Sequence, residues 1–108
     1  MCLCAFARLL GKQGLPGLSG TIPEEVGNLA SLEYIDLQYS PHITGSIPVS
    51  IGRLTKLKWL NFASCLLEGS IPEEIGGLTR LTYLNLENNR LTGSISPSIG
   101  NLTHLTTL

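Results

Sequence analysis

Cysteine, charge and aromatic side chains are all scarce in this chain of 108 residues, and each scarcity excludes a class of protein. Three cysteines, Cys2, Cys4 and Cys65, are an odd number, so no closed disulfide framework can be read and at least one thiol stays unpaired or pairs outside the chain. Charged residues are 14% of the total, seven basic against eight acidic, and the net charge of −1 comes without any basic cluster. Nucleic acid is therefore not an expected partner. No uncharged apolar run approaches the roughly 20 residues of a bilayer helix, so no membrane contact by this segment is expected. The two histidines, His42 and His104, lie far apart, and no metal-ligand spacing, G-x-S-x-G elbow or phosphate-cradling loop occurs. Ser40, His42 and Asp36 can be drawn as a triad only on one short turn that offers no pocket. No catalytic residue, cofactor or metal site is expected.

What is present is apolar: 43% of the residues, enough to demand a core. The first ten residues are apolar too, but they lack a basic start, contain Arg8 and lead to no clean cleavage site. They do not read as a secretion signal, and the expectation is an imperfectly chosen or truncated start.

Repetition organises nearly all of the rest. Glycines at 20, 45, 69 and 93 each sit inside an L/I-x-G-x-I run, at Leu18 to Ile22, Ile43 to Ile47, Leu67 to Ile71 and Leu91 to Ile95. An apolar–Gly pair follows in each case: Val26-Gly27, Ile51-Gly52, Ile75-Gly76 and Ile99-Gly100. Two residues on stands Leu29, Leu54, Leu78 or Leu102, and then an L-x-x-L-x-L block built on Leu32, Ile35, Leu37, on Leu57, Leu60, Phe62 and on Leu81, Leu84, Leu86. The glycines at 11, 14, 17 and 20 follow a collagen-like spacing, but a few triplets cannot sustain a triple helix and are read as the entry to the first repeat.

A period of 24 to 25 residues with these registers resembles the plant-type leucine-rich repeat, whose L-x-G-x-I-P signature stands at Leu18 to Pro23 and at Leu67 to Pro72. Two departures are visible: Ile95-Ser96-Pro97 moves the proline by one place, and the first repeat has one extra residue near Pro41-His42. The fold implied is an α/β leucine-rich-repeat solenoid of about three and a half repeats. Short parallel strands line its concave face, and short helical turns or loops its convex side. The divisions are an N-terminal segment over 1–14 and repeats over 15–42, 43–66, 67–90 and, truncated, 91–108. Leu102, Leu105 and Leu108 lack a following coil in this sequence, so the expectation is a piece of a longer solenoid.

In each block the last two leucine positions alternate with polar residues, the sign of a strand buried on one face. Pro23 to Gly27 and Pro72 to Gly76 read as single helical turns, with Pro at the first helical position, Glu24, Glu25, Glu73 and Glu74 at the positive end and Gly as the stop. Stacking then aligns equivalent positions in columns. Tyr34, Trp59, Tyr83 and Thr107 form one column, Asp36, Asn61 and Asn85 a second, Gln38, Ala63 and Glu87 a third, and Tyr39, Ser64 and Asn88 a fourth. Four of the six aromatic residues thus fall on the concave face, where large rings serve binding or simply stack over the strands.

The partner-contact residues expected are Tyr34, Asp36, Gln38, Tyr39, Trp59, Asn61, Ser64, Tyr83, Asn85, Glu87 and Asn88. The resemblance implies a protein or peptide partner, a co-receptor among them, and an extracellular or plasma-membrane ectodomain of a receptor-like kinase or receptor-like protein. Its other branches are a soluble polygalacturonase inhibitor and an intracellular scaffold. It also implies that an Asn three residues past the last strand leucine satisfies backbone groups between repeats, a place held here by Ser40, Cys65 and Asn89. Asn101-Leu102-Thr103 is an N-glycosylation acceptor on an outer loop.

Overall fold

In the computed structural model residues 19–105 are described; Cys2, Cys4, the 1–14 segment, Thr107 and Leu108 lie outside them. Parallel strands of three residues and 3-10 turns of five residues alternate along a series of stacked coils. The concave strands are β2 (Tyr34–Asp36), β4 (Trp59–Asn61) and β6 (Tyr83–Asn85), hydrogen-bonded in parallel in the order β2, β4, β6. Ile35, Leu60 and Leu84 face one another across this register and point into the core, where they are essentially inaccessible. This is the alternation expected of the L-x-x-L-x-L blocks.

The L-x-G-x-I runs do more than turn the chain. They form a second line of strands, β1 (Ser19–Thr21), β3 (His42–Thr44), β5 (Glu68–Ser70) and β7 (Arg90–Thr92), with β1 paired to β3 and β5 to β7. The pairing is displaced from the repeat: Gly20 lies opposite Ile43 and Gly69 opposite Leu91, two residues short of the equivalent glycine. Gly45, Gly69 and Gly93 adopt φ near +77°, a backbone state that favours glycine, so each strand pair is short and bends into the next turn. The extra residue of the first repeat is absorbed at Pro41, directly before β3.

The convex turns span Glu24–Asn28, Val49–Arg53, Glu73–Gly77 and Pro97–Asn101. Their caps differ from the sequence expectation. Pro23, Pro48 and Pro72 stand at the cap itself, with extended backbone, rather than at the first helical position. Moving the proline to 97 puts Ser96 at the cap, where its Oγ accepts the Ser98 N–H at 3.2 Å. Gly27, Gly52 and Gly76 do not stop the turns, each of which runs one residue further. They admit the next coil: a Cβ on Gly27 would stand 2.7 Å from the Ser50 carbonyl oxygen, and one on Gly76 2.6 Å from that of Ser98. Across these close contacts the Ser50 and Ser98 hydroxyls donate to the carbonyls of Glu24 and Glu73, at 2.7 and 2.8 Å. Turns thus stack on turns and strands on strands, and apolar side chains from both, Val26, Ile51 and Ile75 with Ile35, Leu60 and Leu84, close one continuous core.

Candidate functional site

The parallel register of β2, β4 and β6 puts Tyr34 beside Trp59 and Trp59 beside Tyr83. Their rings stack: Tyr34 and Trp59 are 5.3 Å apart between centroids with 14° between planes, and Trp59 and Tyr83 3.8 Å apart with 6°. Adjacent parallel strands are about 4.8 Å apart, so flat rings on consecutive strands meet face to face without any backbone adjustment. Trp59 has both faces covered. Its Nε1 is buried with no hydrogen-bond partner, and on the concave face the row presents its ring edges. Stacking and display are therefore properties of the same row.

The second column has a different role from the one expected. Asp36 and Asn61 are at most 1% exposed, beneath the surface rather than on it, so their expected contact with a partner is corrected. Asp36 Oδ1, Asn61 Oδ1 and Asn85 Oδ1 accept the backbone N–H of Gln38, Ala63 and Glu87, at 3.0, 3.1 and 3.1 Å. A short acceptor side chain bonding the backbone two residues on is an Asx-type turn. It turns the chain out of each strand and sets up the following residues Tyr39, Ser64 and Asn88 at φ 61°, 58° and 58°. The other polar atoms tie columns together. Tyr34 Oη donates to Asp36 Oδ2 at 3.4 Å, and Asn61 Nδ2 donates to Gln38 Oε1 at 2.8 Å and to Asp36 Oδ2 at 3.4 Å. Asn85 Nδ2 donates to the Tyr83 oxygen at 3.2 Å. Burial, then the Asp36 charge, lifts the Tyr34 phenol above its ordinary range.

What remains accessible is a framed surface. Tyr34 (37%), Tyr39 (58%), Glu87 and Asn88 are exposed, and Gln38, Trp59, Ser64, Tyr83 and Asn85 are half-buried. Asn88 Nδ2 reaches Ser64 Oγ at 3.5 Å, which links the fourth column between the second and third repeats. At the entry side of the strands Glu33 bonds Lys58 at 2.9 Å, which with the further pull of Lys56 and Arg80 holds its carboxyl below the usual range. Glu33 thus pairs with Lys58 at that edge and feels Lys56 and Arg80 from further off, whereas Glu87 lies at the opposite edge. The Asx column was missed by the sequence reading, although its signal was present: Asp or Asn directly precedes the last strand leucine or phenylalanine in all three complete blocks.

The turn position expected to hold Asn behaves as the resemblance implied. Asn89 Nδ2 donates to the carbonyls of Phe62, Leu86 and Glu87, at 2.8 to 3.2 Å, and its Oδ1 accepts the Leu67 N–H at 3.0 Å. Cys65 makes one close contact there, to the Leu37 carbonyl at 3.2 Å, and the buried Ser40 Oγ has no partner. Burial lifts the Cys65 thiol, which is free and enclosed. Two hollows of about 590 and 220 Å³ lie at the ends of the described coils, beside Asn28 to Tyr34 and among Ile71, Leu84, Ile95 and Ile99; each carries a single carboxylate, Glu33 or Glu87. His42 is exposed on β3, and no His/Cys/Asp/Glu cluster among the described residues could hold a metal ion.

Repeat length, coil geometry and column register together define a leucine-rich-repeat protein. Residues 31–91, more than half of the chain, match the leucine rich repeat family, and the chain belongs to it. The solved structures it resembles include plant receptors and receptor-kinase ectodomains, and also a plant ice-binding protein, 35% identical with a TM-score of 0.76 over 88% of this chain and 33% of that one. The chain is 41% identical to the plant peptide hormone receptor RGFR1 in complex with RGF2, with a TM-score of 0.81 over 83% of this chain and 14% of that one. It is 46% identical to a TDR receptor, with a TM-score of 0.81 over 84% and 16%. For the ectodomain of the receptor kinase SOBIR1 from Arabidopsis thaliana the identity is 29% and the TM-score 0.82, over 89% and 50%. The chain spans at most about half the length of these neighbours. No curated protein matches it. No helix among the described residues is long and apolar enough to cross a membrane.

Proposed function

We propose that this chain is a non-catalytic recognition module of a plant receptor-like kinase or receptor-like protein ectodomain, acting outside the cell in signalling or defence. It binds a peptide or a protein partner across its concave face. The observation that carries this reading is the continuous row Tyr34, Trp59, Tyr83, framed by the exposed Tyr39, Glu87 and Asn88. Rigid rings give contact area at small entropic cost, and here they are already immobilised by one another before any ligand arrives. The peptide hormone complex of the RGFR1 neighbour supports the same choice of ligand class. The cations around Glu33 favour a ligand that places its acidic residues at the strand-entry edge.

The test is titration of synthetic secreted-type peptides, 10 to 20 residues long by about the span of a few coils, followed by Trp59 fluorescence. Binders should weaken on Tyr39→Ala and Asn88→Ala, and their affinity should fall with salt unless Lys56 and Arg80 are both replaced by Ala. They should be indifferent to Ser46→Ala on the β3–β5 side. Peptides whose affinity ignores the concave substitutions and follows the other side would overturn the proposal.

A further inference from the structure

The columns of the solenoid also carry one modification motif that the concave surface does not use. The convex turns end at Asn28, Arg53, Gly77 and Asn101, and two residues beyond these stand Ala30, Thr55, Thr79 and Thr103. Of the four pairs only Asn101 and Thr103 join an Asn to a hydroxyl residue, across Leu102 rather than a proline, which makes an N-glycosylation acceptor.

Such tripeptides are common in sequences, and the fold decides whether this one is presented. Asn28, Arg53 and Gly77 are exposed although a following coil is stacked against each of their turns, and Ala30, Thr55 and Thr79 are exposed as well. Exposure at both places is thus set by the register, and Asn101 and Thr103 share it without depending on where the described coils stop. Leu102, at 5% exposure, points into the core, as Leu54 and Leu78 do. With the middle residue anchored inward, the two that flank it are held outward. The turns stack on turns and the concave strands on strands, so Asn101 belongs to the column of turn ends and not to the column of Tyr34, Trp59 and Tyr83.

We infer that Asn101 carries an N-linked glycan on the convex side of the solenoid, supplied from a lipid-diphosphate-linked oligosaccharide. The Asn101 amide nitrogen bonds to the anomeric carbon, the glycosyl–phosphate C–O bond breaks, the lipid diphosphate leaves with the electron pair and the amide proton passes to a base of the transferase. No electron is gained or lost. A bulky, hydrated group at this position solubilises the turn edge and leaves the ring row open. The inference requires passage through the secretory route but no particular ligand, so it stands or falls separately from peptide recognition.

The test translates the full chain behind a cleavable secretion signal, in the presence of endoplasmic-reticulum microsomes and a reporter glycoprotein that fixes the competence of the transferase. Intact mass is read before and after endoglycosidase. One glycan is expected on the wild type, none on Asn101→Gln or Thr103→Ala, and two on Ala30→Thr, which builds the same acceptor at Asn28. A wild-type chain of unmodified mass beside a modified reporter would overturn the inference, as would a glycan that persists in Asn101→Gln. Secreted glycosylated protein and Asn101→Gln should also share one near-UV spectrum of the ring row; a difference would overturn the placement of the glycan away from it.

Discussion

Asn89 shows how much one amide can do in a repeat fold, and Cys65 shows what its absence leaves. The four hydrogen bonds of Asn89 close backbone groups of two coils, whereas the single Cys65 thiol proton serves the Leu37 carbonyl at 3.2 Å and the more distant Ala63 carbonyl at 3.9 Å. Leaving buried carbonyls and the Leu67 N–H without partners costs about 1–3 kcal/mol, so Asn89→Ala should lower stability by that amount in urea denaturation, and Cys65→Ala by clearly less. The thiol has a pH signature as well. Burial holds it protonated beyond its ordinary range, while the unfolded thiol ionises near ~8.5. Above that pH the unfolded chain binds fewer protons than the folded one, so stability is full below it and falls as pH rises. The denaturation midpoint should drop on going from neutral to alkaline pH, and Cys65→Ala should lessen the drop. Trp59, held between two rings, is the costliest of the concave residues to truncate: Trp59→Ala should lose about 3 kcal/mol together with the near-UV band of the stack.

At the scale of elements the close stacking of convex turns sets the tolerance of each glycine. Gly76→Ala would press a methyl group to within 2.6 Å of Ser98 Cβ and the Ser98 carbonyl oxygen, so a loss of about 1–3 kcal/mol is expected in thermal or urea melts. Among the described residues Gly100 has nothing within 4 Å of its added Cβ, and in this 108-residue chain Gly100→Ala should stay within about 0.5 kcal/mol of the parent. The chemistry of the residue is the same at both places, and the presence of a facing turn decides the outcome. Elements were also where the sequence was legible unevenly. The concave strands announced themselves through strict alternation of Ile35 with Asp36 and Leu37, a signal that belongs to one face of one strand. The second line of strands did not, because Gly20 and Gly69 sit inside β1 and β5 and their pairing depends on a displaced register that only neighbouring coils create. The caps were misread for a related reason: Pro23 and Pro72 suit the first helical position or the residue before it equally well, and the choice follows from the path of the preceding strand.

For the whole molecule, repetition converts a local reading into a surface. Once the period is known, Tyr34, Trp59 and Tyr83 must share a column, and their neighbourhood required no long-range folding argument. Which column faces a partner was harder to read, since Asp36 and Asn61 look like surface polar residues until the Asx turns bury them. A coil stabilised mainly by its neighbours behaves as a one-dimensional array. The Gly76→Ala and Asn89→Ala losses should therefore nearly double when combined only if their coils unfold together, and double-mutant denaturation measures that coupling. The most direct measurement of the central claim is a nuclear Overhauser spectrum of the aromatic protons in solution. Cross-peaks from the Trp59 indole to both Tyr34 and Tyr83, with none between the two tyrosines, are the expected result. Tyrosine rings in mutual contact, or a Trp59 indole whose cross-peaks go to neither, would contradict the columnar surface on which the proposed recognition depends.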